Sequence, residues 1–129
     1  LAKCIFFTLM VFLLSIFSLV ANSPAQQNLS VFSCTPVHVG THKTYSAQNQ
    51  NYPAKVWVQC NPPFNQFQYF AVPIGSDAAE AARFLSLFTA AFVTGKTIDI
   101  GYINNDSSGA AFNCTSSTQC FPAISATVR

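Results

Sequence analysis

Apolar and polar residues alternate along most of the chain beyond residue 30, a pattern typical of β-strands with one face in a core. We predict five strands, at residues 31–40, 54–60, 66–75, 95–103 and 121–129. In the first of them, Val31, Val37 and Val39 are the expected inward positions. The third strand is apolar on both faces, so we expect it to be central or covered. Between the first two strands, residues 41–53 are polar without a helical period, and they predict a long loop or a short, irregular strand.

One helix is predicted between Asp77 and Gly95. Asp77 with Glu80 three residues later is the Asp variant of a capping box, and Gly95 stands where a helix commonly ends with glycine. Helical spacing places one apolar stripe between these ends, made by Phe84, Leu85, Phe88, Ala91 and Phe92.

The element order is three strands, one helix and two strands, which predicts an α+β fold that is mainly β. It is the connectivity of an OB-fold-like five-stranded small barrel with one helix between strands 3 and 4. An open α+β sandwich would show the same order, so both architectures remain open at this point.

The first 25 residues have a different character. Lys3 precedes an apolar run over residues 5–21, and small residues up to Ala25 follow it. We interpret residues 1–25 as a secretory signal peptide. Residues 26–129 then form a single domain that is secreted or periplasmic, with no stable membrane span after cleavage. The alternative is a retained anchor, because a mainly apolar run of 17 residues lies at the lower limit for a span.

Charged residues make up only 8% of the chain, and the formal net charge is +2. Such a balance argues against a nucleic-acid partner, which would require a basic face. It also leaves few groups for acid–base chemistry, and no G-x-S-x-G motif occurs. We therefore expect no enzyme activity, no catalytic residues and no cofactor. Asp99, in the fourth predicted strand, should face solvent or pair with a lysine.

Four cysteines follow the predicted signal peptide, namely Cys34, Cys60, Cys114 and Cys120. An even number in an exported domain is typical of disulfides, and four cysteines allow three pairings. No CxxC spacing, which zinc sites and redox pairs prefer, is present. We predict structural disulfides that pair Cys34 with Cys60 and Cys114 with Cys120.

The two histidines, His38 and His42, are four residues apart. On a strand this spacing puts them about 13 Å apart, too far for one ion unless the chain bends at Gly40. We therefore expect no metal site.

Four aromatic residues lie within the polar stretch 41–53 or follow it, and they are Tyr45, Tyr52, Trp57 and Tyr69. Sugar sites combine aromatic faces with a few amide or hydroxyl groups, and the polar stretch supplies such groups. The alternative interpretation is structural: Trp57 would pack beneath the loop in a satellite hydrophobic cluster.

Three short motifs occur in a recognisable order. They are His-Val-Gly at residues 38–40, a helix that ends at Gly95-Lys96, and a disulfide loop that ends in Thr-Gln-Cys-Phe at residues 118–121. In these motifs the chain resembles the B subunits of AB5 toxins, such as those of subtilase cytotoxin and typhoid toxin, and a broader set of small exported bacterial proteins. The resemblance covers most of residues 31–125. It implies a secreted, non-catalytic binding subunit with an OB-like fold that forms a homopentamer, binds sialylated cell-surface glycans and joins a toxin A subunit.

In the subunits that the chain resembles, the serine and tyrosine of a Ser-x-Tyr-Phe-Cys segment hold the sugar. The nearest stretch here is residues 52–57, which lacks that serine. Tyr52, Lys55 and Trp57 are therefore the candidate glycan-binding residues. The alternative function is that of a stand-alone exported structural or envelope-associated small domain without a glycan site.

Overall fold

A computed structural model describes residues 28–75 and 77–129, so the predicted signal peptide lies outside the described residues. The strands and the helix follow in the order β1 (Leu29–Cys34), β2 (Pro36–His42), β3 (Tyr45–Ala47), β4 (Gln50–Tyr52), β5 (Lys55–Phe64), β6 (Phe67–Pro73), α1 (Ala78–Thr94), β7 (Ile98–Ile103), β8 (Cys120–Pro122) and β9 (Ser125–Val128). Two short 3₁₀ turns, Ser108–Phe112 and Ser116–Thr118, lie between β7 and β8. The chain is thus α+β and mainly β, as predicted.

Within the described residues the strands form two larger sheets and one hairpin. The first sheet has the order β1-β7-β9 and is antiparallel throughout. The second has the order β2-β5-β6-β8, in which β8 runs parallel to β6. Strands β3 and β4 form the hairpin. Of the two predictions for residues 41–53, a long loop or a short, irregular strand, the hairpin agrees better with the second.

Two of the predicted strands are bent, and their halves belong to different sheets. The first divides at Thr35 into β1 and β2, and the last divides into β8 and β9. At the second bend, the Ala123 amide donates to the Ala71 carbonyl of β6, and the Ile124 amide donates to the Gly101 carbonyl of β7. The bends therefore connect the two larger sheets.

The first bend changes which side chains face the core. Phe32 packs against the core and Cys34 is buried, whereas Val31 is 59% exposed. The prediction that Val31 points inward is wrong, because the alternating positions of β1 that face the core are those of Phe32 and Cys34, and Val31 lies on the opposite face. Beyond the bend, Val39 does pack against the core, as predicted.

The core is formed by both larger sheets and one face of α1. Aromatic rings fill a large part of it, with centroids between neighbouring rings 4.7 to 6.3 Å apart in offset or edge-on arrangements. The largest fully buried side chains are Phe70, Phe88, Ile98, Ile100, Val56, Val58 and Cys34.

The helix α1 has the predicted bounds and caps. The Asp77 carboxylate accepts a hydrogen bond from the Glu80 amide at 2.9 Å, and Gly95 has the left-handed conformation with φ 67°. Phe92, expected on the buried stripe, is instead 45% exposed, because it lies about 100° around the helix from the buried Ala91. The side chains that do face the core are Ala81, Phe84, Phe88 and Ala91.

Both predicted disulfides are present. One joins Cys34 of β1 to Cys60 of β5, and the other joins Cys114 to Cys120 across a short loop. Among residues 28–75 and 77–129, no helix combines the length and the apolar character that crossing a bilayer requires. The disulfides are consistent with an oxidising compartment, as expected for a secreted or periplasmic protein.

Candidate functional site

The sheet β2-β5-β6-β8 has an outer face that points away from the core. On β5, alternation buries Val56 and Val58 and turns Lys55 and Trp57 outward. Tyr69 of β6 lies on the same face, because its register partner on β5 is Gln59, which points outward like Lys55 and Trp57. The period-2 pattern of the sequence therefore gathers cationic and aromatic side chains on this surface.

A cavity of about 240 Å³ opens on this outer face. Lys55 and Trp57 line it from β5, Tyr69 lines it from β6, and Thr118 and Cys120 line it from the terminal disulfide loop. Two of the three residues that the sequence nominated for glycan binding thus lie together. The volume is below the range of about 300–1,000 Å³ that is usual for pockets of drug-sized ligands, so it suits one small ring.

Two aromatic rings form one wall of the cavity. Trp57 and Tyr69 meet edge to face, with their centroids 5.7 Å apart and an interplanar angle of 88°. The indole of Trp57 lies over Gly40 of β2, where a Cβ atom would be 2.4 Å from Cζ2 of the ring. Glycine at position 40 therefore leaves the space that the indole occupies.

The same rings also belong to a second hydrophobic cluster. Trp57 and Tyr69 pack against its buried members, which are Ala71, Phe112, Cys114 and Cys120. Trp57 therefore belongs to a satellite hydrophobic cluster, as one interpretation predicts, but the other members of the cluster come from β6 and from residues 112–120 and not from the polar stretch 41–53. Both rings are only partly buried, so each can contact the cluster and the cavity at once.

Lys55 supplies the positive charge of the cavity. Its ammonium group donates a hydrogen bond to the Asn113 carbonyl at 2.8 Å. Burial lowers the pKa of Lys55 from its ordinary value, because the charged form loses hydration. No acidic side chain of the described residues lines this cavity, so the ammonium favours an anionic ligand.

The disulfide loop holds Thr118 in a defined position. The Thr115 amide donates to the Thr118 hydroxyl oxygen at 3.0 Å. The hydroxyl itself can donate to the Thr115 carbonyl, at 3.0 Å, or to the Asn113 carbonyl, at 3.3 Å. A hydroxyl oxygen has two lone pairs, so one remains to accept a hydrogen bond from a ligand. The Asn113 carbonyl thus meets both Lys55 and Thr118, and it links β5 to the loop.

Tyr52, the third nominated residue, does not line this cavity. Its ring stacks on Tyr45 in the β3-β4 hairpin, with centroids 4.7 Å apart, and its hydroxyl donates to Gln50. His42 meets the ring of Tyr45 edge-on at 5.4 Å. The structure therefore places Tyr52 in a separate aromatic group on the hairpin.

Tyr69 is one of the aromatic residues that the sequence offers for a sugar site, but it is not one of the three candidates; Thr118 and Cys120 line the cavity without being candidates at all. Tyr69 could have been predicted as a lining residue, because alternation along β6 places it on the same face of the sheet as Trp57 on the neighbouring β5. The other two reach the cavity through the parallel pairing of β6 with β8. That pairing joins distant parts of the chain and leaves no local trace in the sequence.

The two histidines have separate hydrogen-bond partners. His38 Nδ1 lies 2.9 Å from the Gln59 side-chain oxygen, and His42 Nδ1 lies 3.1 Å from the Lys43 carbonyl. Across the two described ranges, no group of three His, Cys, Asp or Glu side chains is placed to hold a metal ion.

Asp99 pairs with Ser33 and Arg129. Of the two predicted environments, solvent or a lysine partner, the lysine partner is therefore wrong, and the side chain is 16% exposed to solvent. Adjacent antiparallel strands bring Ser33 beside Asp99, and the C-terminal Arg129 reaches it from the end of β9. The hydrogen bond from the Ser33 hydroxyl, at 2.6 Å, is the main cause that lowers the pKa of Asp99, and Arg129 contributes further.

Comparisons of the chain with family models, with curated proteins and with solved structures find no match. An assignment of this cavity therefore depends on its own residues alone. They combine two aromatic rings, one ammonium group and the hydroxyls of Tyr69 and Thr118 within a small opening.

Proposed function

We propose that this chain is a non-catalytic exported binding protein that holds an acidic sugar in the cavity of Lys55, Trp57, Tyr69 and Thr118. The observation that carries this proposal is the convergence of an ammonium group, a hydroxyl and an aromatic wall on about 240 Å³. An aromatic face takes the C–H side of a pyranose ring, the hydroxyl pairs with a sugar hydroxyl, and the ammonium pairs with a carboxylate. The resemblance to AB5 toxin B subunits supports sialylated glycans of a host cell surface as the ligand.

We infer further that the two larger sheets close into one OB-like barrel. We take β1 with β2 as one bent strand, and β8 with β9 as another. The order of paired strands is then β1/β2, β5, β6, β8/β9 and β7, and β7 pairs with β1 again, so the order is closed. The hydrogen bonds of the Ala123 and Ile124 amides to β6 and β7 support this closure. The helix then stands between the third and fourth of five strands, as in that fold.

The resemblance also implies a homopentamer that carries a toxin A subunit. Leu29 and Val31 support self-association, because they are 51% and 59% exposed on β1, an edge strand of its sheet. Size-exclusion chromatography with light scattering should give the mass of five chains, and the mass of one chain would overturn the assembly.

Glycan binding is tested with the purified, oxidised protein on sialylated glycans and on the same glycans without sialic acid. We expect binding to the sialylated set, and we expect Lys55→Gln to weaken it by about 10- to 100-fold, as expected for a lost charge-assisted hydrogen bond. Thr127→Ser, an exposed change on β9 in the other sheet, is the control and should bind like the wild type. A folded wild-type protein that binds neither set would overturn the proposal.

The second candidate is a stand-alone exported structural or envelope-associated small domain. The observation in its favour is the second hydrophobic cluster, which gives Trp57 and Tyr69 a packing role without any ligand. The two functions differ in the outcome of Lys55→Gln, because a purely structural domain would bind no glycan before or after that change.

A further inference from the structure

We propose that the chain has a second ligand site, a cleft at the end of β6 that binds a small organic cation with an apolar body. The cleft has a volume of about 780 Å³, which lies within the range of about 300–1,000 Å³ that is usual for small-molecule pockets. Of the described residues, none lines both this cleft and the cavity of Lys55 and Trp57, so the two sites can be tested separately.

The cleft lies where two paired strands separate. In the parallel ladder between β6 and β8 the last pair is Ala71 with Pro122. The chain then turns to β7, and the Ile124 amide donates to a carbonyl of that strand. Strand β6 continues beside β5 as far as Pro73. The end of β6 and the bend after β8 therefore lie apart, and both line the cleft.

Three prolines remove donors that could close this gap. Pro53, Pro73 and Pro122 all line the cleft, and a proline has no amide hydrogen to donate to a ladder. The same lack of donors disfavours a peptide added to the edge of the sheet, since such a peptide binds through main-chain hydrogen bonds. A small molecule is therefore the occupant that this lining suits.

The lining between the prolines is mainly apolar. Val72, Phe112 and Ala123 are buried, and each contributes to the wall of the cleft. Ile124 also lines the cleft but is 43% exposed. An apolar body in the cleft would remove the side chain of Ile124 from water, which favours binding.

Two carboxylates at the start of α1 give the cleft a negative end. Asp77 and Glu80 both line the cleft, whereas no basic side chain of the described residues does. Asp77 Oδ1 caps the helix, and Oδ2 can accept a hydrogen bond from a ligand. The positive end of the helix dipole, about half a charge, offsets the two carboxylates only in part. A ligand that carries an ammonium group beside its apolar body therefore matches both parts of the cleft.

NMR titrations with three probes that share one alkyl chain test the inference: octylammonium, octanol and octanoate. We expect saturable binding of octylammonium, with shifts of the Val72 and Ile124 methyl signals and no shift of the Trp57 indole signal. Octanol should bind about 2- to 5-fold more weakly, as expected for the loss of an ion pair near the surface, and octanoate more weakly still.

Variants separate the two parts of the cleft. Glu80→Gln together with Asp77→Asn, in which asparagine still caps the helix, should remove the preference for octylammonium and leave the affinity for octanol unchanged. Ala111→Leu fills part of the cleft from an exposed position, and it should weaken both probes by about 4-fold, the effect of one methylene group that no longer leaves water. Ala110→Leu, an exposed change in the same 3₁₀ turn outside the lining, is the matched control and should alter neither affinity.

Equal affinities of the wild type for octylammonium and octanol would overturn the assignment of a cation, and so would tighter binding of octanoate. The absence of saturable shifts of the Val72 and Ile124 signals with every probe would overturn the site itself. Equal effects of Ala111→Leu and Ala110→Leu would also overturn it. None of these results depends on whether the cavity of Lys55 binds a sugar.

Discussion

Replacing Gly40 with alanine should displace the indole ring of Trp57 from strand β2. The added Cβ atom would lie 2.4 Å from Cζ2 and 2.7 Å from Cε2 of the ring. Non-bonded carbon atoms prefer a separation of about 3.5–4.0 Å, so the ring must retreat by about 1 Å or more. The backbone cannot easily yield instead, because Gly40 and Trp57 are register partners in the β2-β5 ladder.

Overpacking of this kind costs about 1–3 kcal/mol. The indole is a partly buried side chain that can rotate away from the strand. We therefore expect Gly40→Ala to lower the free energy of unfolding by about 1–2 kcal/mol, at the lower end of that range. The displaced ring also moves the aromatic wall of the cavity, so the affinity for an acidic sugar should fall.

Trp57 is the only tryptophan in the chain, so its fluorescence reports on this one ring. In folded Gly40→Ala, the emission should shift to longer wavelength as the ring becomes more exposed to water, and urea denaturation gives the free energy of unfolding. Trp57→Phe supplies the matched control, because the smaller ring relieves the clash and Gly40→Ala should then cost much less. An unchanged emission maximum together with a stability change below about 0.5 kcal/mol would refute the packing of Trp57 on Gly40.

Three further predictions concern charge and the disulfide loop. The hydrogen bond from Ser33 lowers the pKa of Asp99, so the ionised Asp99 carboxylate stabilises the fold above the ordinary carboxyl pKa, and this stabilisation is lost as the pH falls through the lowered pKa. Asp99→Asn should therefore lose less stability in acid than the wild type. Equal losses of the free energy of unfolding in the two proteins between neutral and acid pH would contradict this. Replacing Cys114 and Cys120 with serine should lower the free energy of unfolding by about 2.4 kcal/mol on the loop-entropy model. The same change should weaken sugar binding, because the disulfide loop forms one wall of the cavity. An unchanged affinity in calorimetry would exclude that role for the loop. Burial lowers the pKa of Lys55, so as the pH is raised the affinity for an acidic sugar should begin to fall before the pH reaches the ordinary lysine value of 10.5. An affinity that stays constant as the pH is raised to 10.5 would show that the ammonium does not bind the ligand.

Local signals in the sequence are sufficient for the helix and for most of the strands. Asp77 and Gly95 act within one turn of the chain, so both caps of α1 could be predicted with correct bounds. The alternation on β5 likewise predicts that Lys55 and Trp57 share an outward face. These features depend on neighbouring residues alone.

The bends and the second half of the site depend on tertiary contacts. Thr35 belongs to an uninterrupted strand pattern, and only the pairing of its two sides with different sheets makes it a bend. Thr118 enters the cavity because β8 pairs with β6 and the disulfide closes the loop. Tyr52 is a candidate because residues 52–57 are the nearest match to the sugar-holding segment of the subunits that the chain resembles, but the hairpin turns its ring towards Tyr45. Contacts of this kind are set by topology, which the local pattern does not encode.

A ¹H–¹⁵N NMR titration of the oxidised protein with sialyl-galactose would decide whether the cavity holds a sugar. The indole N–H of Trp57 gives a single, unambiguous signal, because no other tryptophan occurs in the chain. We predict saturable shifts of that signal and of the Tyr69 and Thr118 amides, with the sheet β1-β7-β9 unaffected. An indole signal that does not move up to saturating sugar, or shifts confined to the opposite sheet, would contradict the assignment of this cavity as the binding site.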